Sequence, residues 1–500
     1  MNLTGKHVLV VGLGKSGLAA IRFLLKQGVQ ISVSEGSRDL SALSEVATWL
    51  ETLKIHYELG GHSLKFFTRV DAILLSPGVP LNIPALAAAR RAGVAIFGEL
   101  ALAPAYLQTP VIAITGTNGK STVTTLIGEM LRSAGKKVFV GGNLGTPLCE
   151  YLAGYQDADW VVLEVSSFQL DSAGDFRPQI GLLLNISPDH LDRYPNFTAY
   201  AAAKWKMFTH QERNSWAIIN WEDQEIVRML AAGPLAGRVY GFGSQGWAGP
   251  VKKENSNIKQ RMLPEPYKIS ICLEKADSSA SEPSRKLGPD FNDSNADDPN
   301  AEFIFADCDC EEYDLSATAM ATEPNRQNAL AAVLAARLAD CPSAAVRRGL
   351  SSFRPLPCRL ALVAEINGVR YYDDSKATNI GAVESALRGM DRPVVLIAGG
   401  LDKGGDYRLL LPVVRDKVKA MVLIGSAREK MTKAFANTVR VEAASNLPEA
   451  VGLAHQLATR DGIVLLSPAC ASFDMFSGYA QRSEVFRRAV RELALPLNDE

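Results

Sequence analysis

Residues 113–122 read Ala-Ile-Thr-Gly-Thr-Asn-Gly-Lys-Ser-Thr. Just upstream, Val111-Ile-Ala-Ile114 is a short apolar run of strand type, and Val123 to Ser133 carries a helical pattern. A strand feeding a glycine turn that enters a helix aims backbone N–H groups at an anion, and the helix start adds favourable partial charge. Gly116, Thr117, Asn118 and Gly119 form the turn, Lys120 offers a point positive charge, and the Ser121 hydroxyl can ligate Mg²⁺ beside Thr122. Ile114 stands where G-x-x-x-x-G-K-[ST] has its first glycine, so the pattern is a variant of that motif. A chance glycine turn explains poorly why strand, loop, lysine, hydroxyls and helix come in this order. The stretch predicts an α/β unit with a phosphate loop.

Working outward, a second glycine turn precedes it. Val10 to Gly28 reads VVGLGKSGLAAIRFLLKQG, in which Gly12, Gly14 and Gly17 spell G-x-G-x-x-G between Val8–Val11 and an amphipathic stretch, with Glu35 after the next apolar run. That is a pyrophosphate-binding βαβ fingerprint. Ile31–Val33, Ala72–Leu75 and Val94–Phe97 read as further short strands, and Leu18–Gln27 and Pro84–Ala92 as helices. Beyond the phosphate loop, strands are expected at Lys137–Val140, Trp160–Val165, Ile180–Asn185 and Ala217–Asn220, and a helix over Asn325–Ala339. Phe353-Arg-Pro-Leu-Pro357 marks a linker, followed by strands near Val369–Tyr372, Val394–Ala398, Ala420–Ile424 and Ile463–Leu466. The expected fold class is α/β, with three domains in series over residues 1–108, 109–355 and 356–500. Residues 276–300 are rich in Ser, Asp, Asn and Pro with little to bury, so a disordered insertion is expected over about 245–310.

Composition narrows the class. Five hundred residues exceed one core, and 47% hydrophobic with 21% charged residues is ordinary for a soluble globular chain. A net charge of −1 and the lack of a basic stripe exclude a nucleic-acid footprint. Seven cysteines lack zinc-ribbon or thioredoxin spacing, which points to reduced thiols. With no signal-type start and no apolar run near eighteen residues, no membrane insertion and a cytoplasmic location are expected.

Three residues stand out after the loop. Glu164 ends the apolar run Trp160-Val-Val-Leu-Glu164, where an open α/β sheet places its chemistry, and its carboxylate suits Mg²⁺ beside Ser121. His190 lies in Asn185-Ile-Ser-Pro-Asp-His-Leu-Asp-Arg193 between Asp189 and Asp192, and Lys204 follows on a helix. Read alone, His190 is a structural histidine and Lys204 a solvated helix lysine.

Taken together, TGTNGKST, EVSSFQL, ISPDHLDRY, NRQN at 325–328, DDSKATN at 373–379 and LLSPACASFD at 465–474 resemble the Mur ligase family over all three domains. The resemblance implies a Rossmann-like UDP-binding domain, a P-loop-type ATP-binding domain and a Rossmann-like C-terminal domain. It is strongest to the member that joins D-glutamate to UDP-N-acetylmuramoyl-L-alanine through an acyl phosphate, in peptidoglycan precursor synthesis, and implies ATP, that UDP-sugar and D-glutamate as substrates of a monomer. It also implies two Mg²⁺ ions, held by Ser121, Glu164, His190 and Lys204, the last as a carbamate. Gly116 to Thr122, Asn325, Asn328, Arg359 and Asp374 are then the ATP site. Gly14, Lys15, Ser16, Glu35, Ser37, Arg38, Ser76, Asn143, Ser166 and Gln169 are the UDP-substrate track. Lys376, Thr378, Lys403, Ser472, Phe473 and Tyr479 are the D-glutamate pocket, and Lys120, Glu164, His190 and Lys204 carry the chemistry. Pro324 and Cys358 depart from the family, where histidines commonly stand, and both neighbour the nucleotide positions.

Three other readings compete. An oxidoreductase explains Gly12, Gly14, Gly17 and Glu35 but leaves the phosphate loop and DDSKATN without a role. A related ligase taking another amino acid, polyglutamylating or meso-diaminopimelate-adding, shares the loop, but the D-N-P-R motif of the latter is absent here. A regulator that binds nucleotide without chemistry is disfavoured by Lys120, Glu164, His190 and Lys204.

Overall fold

The computed structural model describes residues 2–39, 43–191, 193–233, 235–243, 247–253, 268–273, 303–305 and 309–493. Its strands fall into three sheets in sequence order. The first holds β1 (His7–Val11), β2 (Gln30–Glu35), β3 (His56–Leu59), β4 (Ala72–Leu75) and β5 (Ala95–Phe97), all parallel in the order β3-β2-β1-β4-β5. Val8 to Val11 are fully buried, as expected of a parallel strand covered by helices on both faces. Strand order reverses at β1 and β4, so the crevice for a ligand opens where the glycine turn and Ser76 follow these strands.

The central sheet holds β6 (Val111–Thr115), β7 (Val138–Gly142), β8 (Trp160–Glu164), β9 (Ile180–Leu183), β10 (Trp216–Asn220), β11 (Arg238–Phe242), β12 (Trp247–Lys253), β13 (Lys268–Leu273), β14 (Phe303–Phe305) and β15 (Asp309–Asp314). Its order is β15-β13-β12-β11-β10-β9-β6-β8-β7, with β14 on β12. From β7 to β11 all pairings are parallel, whereas β11–β12 and β13–β15 are antiparallel. The expectation of a disordered insertion over 245–310 is therefore corrected at four segments, which extend the sheet. Ile271 is fully buried there, so apolar side chains that look isolated in sequence find a core in the neighbouring sheet. The Ser- and Asp-rich 276–300 stretch lies outside the described residues.

Helix Lys120–Ser133 follows β6 directly, three residues earlier than the apolar pattern starts, because polar Lys120, Ser121 and Thr122 form its first turn. Helix Lys15–Lys26 likewise begins at the glycine turn rather than at Leu18. Helix Asn325–Leu338 is buried all round from Ala329 to Ala336, so it is a core helix rather than an amphipathic one. Helix Ser343–Ser352 packs on Lys120–Ser133 so closely that a Cβ at Gly349 would lie 2.8 Å from the Met130 Cα. Each fully buried Leu or Val in these layers contributes about 1.5–3 kcal/mol relative to exposure.

The third sheet holds β16 (Ala361–Ile366), β17 (Val369–Asp373), β18 (Val394–Gly399), β19 (Val418–Ile424), β20 (Arg440–Ala443) and β21 (Ile463–Leu466), in the order β16-β17-β21-β18-β19-β20. Only β16–β17 is antiparallel. Cys149, Cys341, Cys358 and Cys470 are buried free thiols. Among the described residues no helix is long and apolar enough to cross a membrane.

Candidate active site

The loop between β6 and helix Lys120–Ser133 depends on two glycines. Gly116 and Gly119 have φ of +150° and +85°, and a Cβ at Gly119 would lie 2.4 Å from Asn328 Oδ1. Lys120 curls back, donating from Nζ to the carbonyls of Gly116 and Thr117 at 2.8 Å each. Burial pulls its ammonium below the ordinary lysine range, against the pull of Glu164. Thr117 Oγ1 and Asn118 N–H lock onto the chain after β9, at Ser187 and Asn185.

Ser121 is the hub. Its hydroxyl donates to Glu164 Oε2 at 2.5 Å and accepts from Arg359 Nη2 at 2.7 Å and Lys376 Nζ at 3.4 Å. Asn143 Nδ2 donates to the other Glu164 oxygen at 2.8 Å. Burial would raise the Glu164 carboxyl, but Lys120 and the Ser121 and Asn143 hydrogen bonds hold it below the usual carboxylate range. Burial lowers Lys376 to about 8, and its Nζ lies 5.1 Å from the centre of the Tyr479 ring. Arg359 Nε is buried without a hydrogen-bond partner.

Lys204 is 2% exposed, with Nζ donating to Gly116 O at 2.8 Å and lying 4.5 Å from the Tyr200 ring centre. Burial pushes its amine well below the ordinary range. His190 has φ +54° and is held by ring contacts to Phe168 and Tyr200 and by Asp189 at 3.7 Å. Asp189 itself bridges to the third unit, accepting from Lys403 Nζ at 2.7 Å and Asn379 Nδ2 at 3.1 Å. Asn379 and Asn118 exchange side-chain amide hydrogen bonds across the same boundary. Neither Asp189 nor Asn379 stands out in the sequence. The available signal is position alone: Asp189 precedes His190, and Asn379 closes DDSKATN.

A cleft of about 280 Å³ lies between the central and third sheets. Asn118, Gly119, Asn325, Asn328, Arg359 and Asp374 line it, so the expected nucleotide positions converge from separate segments. Asp374 accepts from Leu360 N–H and Ser467 Oγ, and burial raises its carboxyl to about 7. Pro324 also lines the cleft, while buried Cys358 lies beside Ser483 and Asp373. Thr378, Lys403 and His190 share a smaller neighbouring cleft. Ser472 is buried, whereas Phe473 is 71% exposed.

In the first unit, a Cβ at Gly17 would lie 1.9 Å from Gly12 O, so the turn tolerates no side chain there. Ser76 Oγ donates to Gly12 O at 3.1 Å. Glu35 accepts from Leu13 N–H at 2.6 Å and Ser37 N–H at 2.7 Å, bracing two loops. Gly14, Lys15, Ser37 and Arg38 are exposed around this crevice and Ser16 is half-buried. Ser166 and Gln169 form a reciprocal capping box at helix Ser167–Leu170. Asp192 lies outside the described residues.

Three family models match the chain: the Mur ligase MurD-like N-terminal domain at residues 6–98, the Mur ligase middle domain at 114–273, and the Mur ligase glutamate ligase domain at 358–470. The chain is 41% identical to a UDP-N-acetylmuramoylalanine–D-glutamate ligase of Desulfotalea psychrophila over 484 residues, covering 97% of this chain and 95% of that one. A protein of the same name from Acidobacterium capsulatum is also 41% identical, over 98% of this chain and 97% of its own. In fold the chain is similar to a pseudomurein peptide ligase type C from Methanothermus fervidus, with TM-score 0.56, 18% identity and coverage of 98% and 100%. It is similar also to a MurF ligase of Thermotoga maritima in complex with ADP, with TM-score 0.54, 14% identity and coverage of 97% and 95%.

Proposed function

The chain belongs to the Mur ligase family, and from that premise we propose that it joins D-glutamate to UDP-N-acetylmuramoyl-L-alanine at the expense of ATP. The observation that carries the chemistry is the convergence of Glu164, Arg359 and Lys376 on the Ser121 hydroxyl, in the first turn of the phosphate-loop helix. Charge of this kind, contributed by two units, suits phosphoryl transfer between anions.

The substrate carboxylate attacks the γ-phosphorus, ADP leaves, and an acyl phosphate forms. The D-glutamate amine then attacks the acyl carbon, loses a proton, and phosphate departs from the tetrahedral intermediate. Lys120 and the loop N–H groups bind the β- and γ-phosphates, and Arg359 and Lys376 face the developing charge. The cleft lined by Asn325, Asn328 and Asp374 takes the nucleoside. Thr378, Lys403, Ser472, Phe473 and Tyr479 with Lys376 receive the amino acid, whose carboxylate competes with Asp189 for Lys403. Gly14, Lys15, Ser16, Glu35, Ser37 and Arg38 take the UDP end, and Ser76, Asn143, Ser166 and Gln169 continue the track toward the muramoyl end.

Among the described residues no group of three or more His, Cys, Asp or Glu side chains gathers as a metal cluster, so Mg²⁺ would be shared with phosphate oxygens and water. The Ser121 hydroxyl and the Glu164 carboxylate, neighbours in this site, would supply the hard oxygen donors for one such cation. His190 and Lys204 fit a second only if Lys204 is an anionic oxygen donor. A buried amine with one carbonyl partner is suited to become a carbamate rather than to remain an ammonium. Held by these residues, Mg²⁺ would supply positive charge that offsets the charge of the reacting phosphates. The test is phosphate release from ATP with UDP-N-acetylmuramoyl-L-alanine and a panel of amino acids. D-glutamate should stimulate release, and stimulation by another amino acid alone would sink the specificity.

A further inference from the structure

We propose that Arg193 is a positioning residue that locks the crevice of the first unit in line with the central site. This rests on the reading above that the crevice holds the UDP substrate. Arg193 spans the boundary between these units. Its Nη1 donates to Gly78 O at 3.0 Å, and its Nη2 donates to Pro77 O at 2.9 Å and Val79 O at 2.6 Å. The guanidinium carbon lies 4.2 Å from the centre of the Phe168 ring, which holds its plane against the central unit. The planar fork is what lets one side chain reach three successive carbonyls.

Both ends of this strut lead to site groups. On one side, the captured carbonyls directly follow Ser76, whose hydroxyl rests on the glycine turn at Gly12 O. On the other, Arg193 N–H donates to His190 O at 2.9 Å, so the guanidinium and the His190 imidazole leave one turn of chain. Phe168 in addition meets the His190 ring edge-on, at 4.8 Å between centres. Displacing Arg193 thus frees the pyrophosphate turn from the His190 turn.

Other polar ties between these units among the described residues lie elsewhere. Arg22 meets Glu150 at 3.2 Å and Lys26 donates to Ala153 O. Both stem from the far half of the helix that starts at the glycine turn, about 10 Å or more along its axis. Gly98 N–H to Ser172 O at 2.7 Å and Cys149 N–H to Glu99 Oε1 at 2.6 Å lie at the chain crossing between the units. The crevice mouth lies away from those contacts, and Arg193 is the polar tie that fixes it against the central unit. The sequence hides this role, because an arginine after His-Leu-Asp reads as a surface residue.

The test compares wild type with Arg193→Ala, Arg193→Lys and Phe168→Leu. In Arg193→Ala the KM for UDP-N-acetylmuramoyl-L-alanine should rise about tenfold or more, with KM for ATP within about twofold, as expected when charged hydrogen bonds between units are lost. Affinity for free UDP, which contacts the first unit alone, should stay within about twofold. Arg193→Lys should recover part of the loss, and Phe168→Leu should move the same constant in the same direction. The proposal is overturned if UDP-substrate KM is unchanged in Arg193→Ala and Phe168→Leu, or if free-UDP affinity falls in parallel with it. If Arg193→Ala melts below the assay temperature, the Lys and Leu variants decide. An inactive wild type would instead count against the substrate reading itself.

Discussion

Lys204 carries its amine into a place where a charge has almost nothing to meet. Its Nζ has one carbonyl partner, Gly116 O, and the face of Tyr200, and burial drives the amine toward neutrality. A neutral amine can add carbon dioxide at nitrogen and release a proton, and the resulting carbamate would supply the anionic oxygens that an ammonium lacks. Lys204→Ala should cut turnover by about 10²-fold or more, the scale of losing one preorganised charged group, without lowering the thermal midpoint. Turnover near wild type in that variant rules the carbamate out, as does indifference of the wild type to bicarbonate depletion. At this scale the sequence is a partial guide. Lys120, Ser121 and Glu164 are legible because loop and strand end bear them in order. Asp189 and Asn379 are not, since their partners lie 214 and 261 residues away in sequence.

At the scale of elements, buried parallel strands are the easiest to find. β1, β6, β9, β18 and β21 are apolar runs because both faces are covered. The peripheral strands escape notice: β3 reads His-Tyr-Glu-Leu, half polar, and β15 reads Asp-Cys-Glu-Glu-Tyr-Asp, mostly acidic. The join between the first two units is another element without a sequence signal. Glu99 opens the short turn Glu99–Leu102 and accepts from Cys149 N–H at 2.6 Å, at the start of helix Leu148–Leu152. Its Oε2 is buried without a partner, and burial pushes the carboxyl up to about 7, against the hydrogen bonds from Cys149 and Leu148. Because the folded value lies above the unfolded one, this group favours the fold fully below about pH 4.5. That stability is lost as pH rises through about 7, a swing of roughly 3 kcal/mol. Glu99→Gln removes the titration. Urea midpoints should show wild type gaining on the variant as pH falls from 8 to 5, whereas parallel profiles would contradict the assignment.

Across the whole molecule, the site exists only where units meet. Arg359 and Lys376 come to Ser121 from the third unit, and Lys403 reaches Asp189 at a side-chain exposure of 20% against 9%. Lys403→Ala should lower kcat/KM for D-glutamate by about 10²-fold while ATP affinity holds within about twofold, since a desolvated charge pair to a carboxylate is lost. Equal losses for both substrates would mean that Lys403 serves unit closure rather than the amino acid. The glycine turns, the phosphate loop, the three α/β units and the family follow from local order, because backbone conformation, anion binding and buried strands are set by neighbours in the chain. Residues 276–300 yield only a composition. The tertiary structure alone decided that Ser121 joins Arg359 and Lys376, that Asp189 holds Lys403, and that Arg193 ties the crevice to His190. Those contacts depend on how the sheets face one another, and a side chain's reach across such a boundary leaves no periodicity for a sequence to carry.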